Sequence, residues 1–78
     1  MIVKEVSAGH VWQHYKGGQY IVTGLSLNEE DLTWNVLYEP YGLPDTEVPW
    51  SRPLGNWLSM VDMDGKLVPR FTLLFKVH

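Results

Sequence analysis

From Val11 onward, short runs of alternating apolar and polar residues are separated by turn formers, the pattern of half-buried strands rather than helices. Val11 to Lys16 reads as a first strand and Gln19 to Leu25 as its return, with Gly17-Gly18 as a two-residue turn. That turn would set Tyr15 opposite Tyr20, His14 opposite Ile21 and Trp12 opposite Thr23. One face would then carry Trp12, His14, Ile21 and Thr23, and the other Val11, Gln13, Tyr15, Tyr20 and Val22. Neither face is purely apolar, so alternation alone leaves open which of them meets the core.

An acidic break, Asn28-Glu29-Glu30-Asp31, reads as a solvated turn before a third strand, Thr33 to Glu39, in which Trp34, Val36 and Tyr38 share a face. Pro40, Pro44, Pro49 and Pro53, with Gly42, exclude a regular helix from the next segment and predict an irregular loop around a short strand. Leu54 to Trp57 fits one helical turn. Leu58 to Met63 and Lys66 to Leu73 then form a second hairpin about Asp64-Gly65, a pair that favours the type I′ turn. Its register sets Pro69 opposite Met60 at a site where no N–H is required. The expected fold is all-β and one domain over residues 1–78: a small five-stranded, SH3-like, partly open barrel or a strongly bent antiparallel sheet.

Composition narrows the function classes. A chain of 78 residues buries about 60% of its unfolded surface and leaves little volume for a deep cleft. With no cysteine, neither disulfides nor thiolate metal sites are available, and the core or a partner must supply stability. Four Trp and four Tyr are more large rings than a small barrel can hold, so some are expected at the surface, where they serve interfaces. A net charge of −3 argues against gripping duplex nucleic acid. No basic leader followed by an apolar run and no long apolar stretch is visible, so a cytoplasmic protein without membrane association is expected.

Three stretches resemble one family: His14-Tyr15-Lys16-Gly17 with Tyr20-Ile21-Val22 behind it, Trp50-Ser51-Arg52-Pro53-Leu54, and Asp64-Gly65-Lys66-Leu67-Val68-Pro69-Arg70-Phe71. Their order and spacing over about residues 9 to 71 resemble the domain-of-unknown-function 1653 family. Glu30 and Tyr38 also fall where that family tends to carry an acid and a tyrosine. Asn28-Glu29 stands in place of the His-Ser pair expected there, Trp12 in place of Tyr, and the loop from Glu39 to Pro49 is longer than typical. The resemblance implies a small bacterial or phage protein and supplies no catalytic residues.

His14, Lys16, Glu30, Tyr38, Arg52 and Arg70 are the polar residues in or near these motifs, and Trp50 is the ring that stands beside Arg52. Arginines suit bidentate capture of phosphate or carboxylate, and Trp and Tyr faces stack on planar rings. Alternatively, Arg52 and Arg70 form structural pairs with Glu30 or Glu39. His10 and His14, four apart on a strand, lie roughly 13 Å from each other, too far to share a metal. No nucleophile elbow, phosphate loop or calcium loop is present. The reading that follows is a non-enzymatic module without a cofactor, binding protein or peptide through Trp50, Arg52, Tyr38 and the Pro40 to Pro49 loop. Its rival is a small-molecule, nucleotide-like receptor or sequestering protein, expected to be dimeric, lined by Lys16, Arg52, Arg70 and the tyrosines.

Overall fold

In the computed structural model, which describes residues 6–43 and 48–77, seven strands form one sheet of five and a separate hairpin. The strands are β1 (His10–His14), β2 (Gln19–Asn28), β3 (Thr33–Pro40), β4 (Trp50–Pro53), β5 (Met60–Met63), β6 (Lys66–Pro69) and β7 (Phe71–Lys76). A single helical turn, α1 (Leu54–Trp57), joins β4 to β5. The main sheet runs β4-β3-β2-β1-β7 with antiparallel neighbours throughout, while β5 and β6 pair only with each other. The all-β class holds, and of the two expected architectures the open, bent sheet is the one found, since β4 and β7 remain edges.

The first hairpin corrects the expected register. Its loop is Tyr15-Lys16-Gly17 rather than Gly17-Gly18: His14 N–H donates to the Gly18 carbonyl at 2.7 Å, and Gly17 N–H to the His14 carbonyl at 2.8 Å. Gly17 sits at φ 109° and supplies the positive dihedral that closes a three-residue loop. Trp12 therefore faces Tyr20, not Thr23, and Gln13 faces Gln19. The shift is by an odd number of residues and so exchanges the faces of β2 relative to β1. Trp12, His14, Tyr20 and Val22 now share a face, which resolves the mixed pattern left by simple alternation.

A bulge between Val22 and Gly24 adjusts β2 against β3, so that Val22 opposes Tyr38 and Leu25 opposes Val36. This brings Val22, Val36 and Tyr38 into one core with Val6, Trp12, Trp57 and Phe71. Trp57, at the end of α1, is fully buried and stacks on Phe71 with ring centres 3.7 Å apart and planes 3° from parallel. Trp12 meets it edge-on at 5.8 Å. Such ring pairs add about 0.5–1.5 kcal/mol each beyond burial of their area. The expected surplus of rings does reach the surface, in Trp50, Tyr41 and Phe75.

The second hairpin forms about Asp64-Gly65 as expected, with φ of 54° and 82° at those residues and Pro69 opposite Met60. It ends sooner than the alternation implied. The long strand expected from Lys66 to Leu73 breaks at Arg70, where the chain passes from β6 into β7 and changes sheets. Arg70 N–H donates to the Ser59 carbonyl at 2.9 Å, and its own carbonyl accepts from Tyr15 N–H at 2.9 Å. One residue thus ties the hairpin to the main sheet. At the far end of β7, Gly9 (φ 89°) packs directly against the Val77 carbonyl, with no room for a β-carbon.

Candidate functional site

Because Trp50 opposes Tyr38 and Arg52 opposes Val36, β4 presents both Trp50 and Arg52 on the face that carries the core. Trp50 lies 5.8 Å from Tyr38 and 6.0 Å from Tyr20, and those two tyrosines meet edge-to-face at 5.5 Å. Tyr38 is nearly buried, whereas the Trp50 ring is 46% exposed. The result is an open ring on a rigid aromatic base.

Arg52 lies among these rings. Its guanidinium carbon is 5.1 Å from the Phe71 ring centre and 6.0 Å from that of Tyr38, within cation–π range. Its Nε–H donates to the Tyr38 hydroxyl at 3.3 Å and an Nη1–H to Asn56 Oδ1 at 2.8 Å. Arg70 Nε–H donates to Ser59 Oγ at 3.0 Å, and that hydroxyl donates to the Asn56 carbonyl at 2.6 Å. Among the described residues, the hydrogen bonds that aim the two guanidiniums end on neutral oxygens, and they engage two N–H groups of Arg52 and one of Arg70. A guanidinium carries five such donors.

His14 closes the same face. Its ring packs edge-on against Phe71 at 4.9 Å and lies 4.6 Å from Tyr15. Its Nδ1 accepts the Lys16 backbone N–H at 3.2 Å, which places the imidazole proton of the neutral ring on Nε2. Partial burial holds its pKa below the ordinary imidazole value, and the charges of Arg52, Lys16 and Arg70 push in the same direction.

Six of the seven residues singled out from sequence, His14, Lys16, Tyr38, Trp50, Arg52 and Arg70, thus belong to one region, supplied by the β1–β2 hairpin, β3, β4 and the β6–β7 joint. Glu30 does not. It stands at the exposed tip of the β2–β3 hairpin, its N–H bonded to Asn28 Oδ1, at the end of the strands opposite to Tyr20 and Pro40. The Pro40 to Pro49 loop is only partly in view, because residues 44–47 lie outside the described residues.

Sequence reasoning missed Phe71 and Asn56, and it included Tyr20 only collectively among the tyrosines. Phe71 stands inside a family-like motif but reads as an ordinary strand residue. Asn56 follows Arg52 by four residues across a strand-to-helix junction, a geometry no simple period reveals. A concavity of about 320 Å³ lies between the hairpin arm and the sheet, lined by Gln13, His14, Tyr15, Met63, Val68, Pro69 and Thr72, and of the residues singled out from sequence it includes His14 alone. Among the described residues, no three His, Asp or Glu side chains gather where a metal would sit, and no helix is long and apolar enough to cross a membrane.

An open antiparallel sheet whose core-side face carries Arg52 and Trp50 among aromatic rings defines the class of domain. The chain belongs to the family described as protein of unknown function (DUF1653), whose model matches residues 10–73. It is similar to the crystal structure of a member of that family from Bordetella bronchiseptica, at 26% identity and a TM-score of 0.75 over 97% of each chain. No curated protein matches it.

Proposed function

We propose that this domain is a non-enzymatic receptor for a small nucleotide-like ligand, one that joins an anionic group to a planar ring. The observation that carries the reading is the grouping of basic side chains about the aromatic base: Arg52 and His14 meet on the Phe71 ring, Asn56 and Ser59 link Arg52 to Arg70, and Lys16 Nζ lies over the Tyr15 ring that packs on His14. A guanidinium aimed by neutral oxygens suits the bidentate capture of a carboxylate or a phosphate. The half-exposed Trp50 ring, two residues from Arg52 on the same strand face, offers the stacking surface at roughly 7 Å.

The protein- or peptide-binding reading, expected from sequence at Trp50, Arg52, Tyr38 and the Pro40 to Pro49 loop, competes for that same face, and a different surface offers it a separate place. Met60, Met63 and Leu67 stand exposed on the β5–β6 hairpin, as apolar side chains do at contact surfaces. That surface lies on the arm rather than at Arg52, so the two readings separate by mutation.

Thermal unfolding in the presence of a panel of mononucleotides is the test. Ligand at 100 times its dissociation constant adds about 2.7 kcal/mol. A rise in melting temperature with at least one nucleotide, abolished in Arg52→Met, is the expected result. A panel that leaves the transition unmoved at millimolar concentration overturns the reading.

A further inference from the structure

We propose that His14 is the proton-linked member of the anion site: when an anion settles among Arg52, Arg70 and Lys16, the imidazole takes up one proton at Nδ1 and becomes a fourth cation. The inference rests on the anion-binding reading above and deepens it by naming how the site responds to pH.

The geometry sets the starting state. In the free chain the Lys16 backbone N–H points at Nδ1, so that nitrogen holds a lone pair and Nε2 holds the proton. Arg52 from β4 meets His14 on the Phe71 ring, Arg70 at the β6–β7 joint directly precedes that ring, and Lys16 from the hairpin loop lies over the Tyr15 ring that packs on His14; all three are positive. The flanking rings are those of Tyr15 and Phe71. Met63, Val68 and Pro69 approach from the hairpin arm, with Gln13 and Thr72 from the sheet, all of them uncharged. Nothing negative among these neighbours favours an imidazolium.

A bound anion reverses that balance. It places negative charge among the cations that had opposed protonation, and an opposite charge within about 4–6 Å favours the charged form of a histidine. The proton comes from solvent and adds to the Nδ1 lone pair, at the cost of the hydrogen bond from the Lys16 N–H, a long one at 3.2 Å. The Nε2–H is a donor in both states and becomes a cationic one on protonation. By linkage, a ligand that promotes proton uptake binds more tightly when protons are abundant.

Sulfate is the probe, because it does not titrate where histidine does. The full chain is titrated with sodium sulfate against a chloride control of equal ionic strength, following the His14 ring and the Arg52 and Arg70 side chains by NMR. The expected result is a His14 midpoint displaced to higher pH in sulfate, with sulfate bound roughly three- to tenfold more tightly at about pH 5.5 than at about pH 8. His14→Gln abolishes that pH dependence. If it does not fold, the His14 midpoint in the unaltered chain still decides the matter.

Sulfate that perturbs Arg52 and Arg70 while leaving the His14 midpoint in place overturns the proton linkage and leaves the receptor reading standing. No perturbation at any of the three, even at decimolar sulfate, removes the anion site and the linkage with it.

Discussion

The two ends of the β2–β3 hairpin use charge in opposite ways. At the tip, Asp31 accepts hydrogen bonds from the Thr33 hydroxyl at 2.7 Å and the Thr33 N–H at 3.1 Å, and Asn28 Oδ1 accepts the Glu30 N–H at 3.0 Å. Those bonds hold the Asp31 carboxyl below its ordinary pKa, the Thr33 hydroxyl contributing most. The polar tip is closed on itself. At the other end Tyr20 and Tyr38 stand beside Trp50 and Arg52, and neutral oxygens aim the Arg52 guanidinium. Three of the chain's nine acidic residues stand in the tip turn, and three of its six Lys and Arg, namely Lys16, Arg52 and Arg70, stand about the aromatic end. Overall charge speaks against non-specific binding to polyanions, and the proposed receptor site relies on local charge instead.

The largest effect that would break this contrast is expected at Trp57. Replacing it with Ala removes a fully buried ring stacked on Phe71, costs about 3–5 kcal/mol and leaves a chain of this size at the margin of folding. Chemical denaturation would read this as a lost or strongly displaced transition. Were the domain to keep its stability, the aromatic base would not be what supports the basic face.

Next in size is Arg52→Met, which keeps an apolar side chain among the rings. It should weaken nucleotide or sulfate binding by about tenfold or more, or about 1.4 kcal/mol, with only a modest change in melting temperature. Isothermal calorimetry measures the first and a thermal melt the second. An equal loss of both would make Arg52 structural.

A smaller effect is expected from pH in the free chain. Because the folded state lowers the His14 pKa, the unfolded chain takes up that proton first as pH falls. Stability from this group is present above the ordinary value of 6.5 and declines as pH falls from there through the lowered folded value. Melting temperatures recorded across that window should show a slope that His14→Gln removes.

The smallest effect sharpens the contrast from the other side. Glu30→Gln should change neither ligand affinity nor melting temperature measurably, since its side chain is exposed at the tip. A loss of ligand binding in that variant would place the acid in the site after all.

The comparison also marks what the sequence could carry. Asp64-Gly65 encodes a turn in two residues, and the second hairpin follows with its register intact, including Pro69 opposite Met60. Gly17-Gly18 offered two glycines for one positive dihedral, and only Gly17 uses it. That difference moved the register by an odd step and decided whether Tyr20 or Ile21 faces the site. The convergence of Lys16, Arg52 and Arg70 was legible because each stands in a stretch that resembles the family. The exclusion of Glu30 was not, because a hairpin's length places its tip and no local pattern states where a tip ends up. Nor could alternation anticipate the break at Arg70, whose backbone serves two different strands.

The account's central claim is that the basic, aromatic face receives a small anionic, ring-bearing ligand. The measurement that tests it most directly is a map of NMR chemical-shift changes on titrating the full chain with a mononucleotide. Saturable shifts centred on His14, Tyr20, Trp50, Arg52 and Phe71, with Asn28 to Thr33 silent, are the predicted result. Shifts confined to the β5–β6 arm or to the acidic tip, or none across the panel, would contradict it.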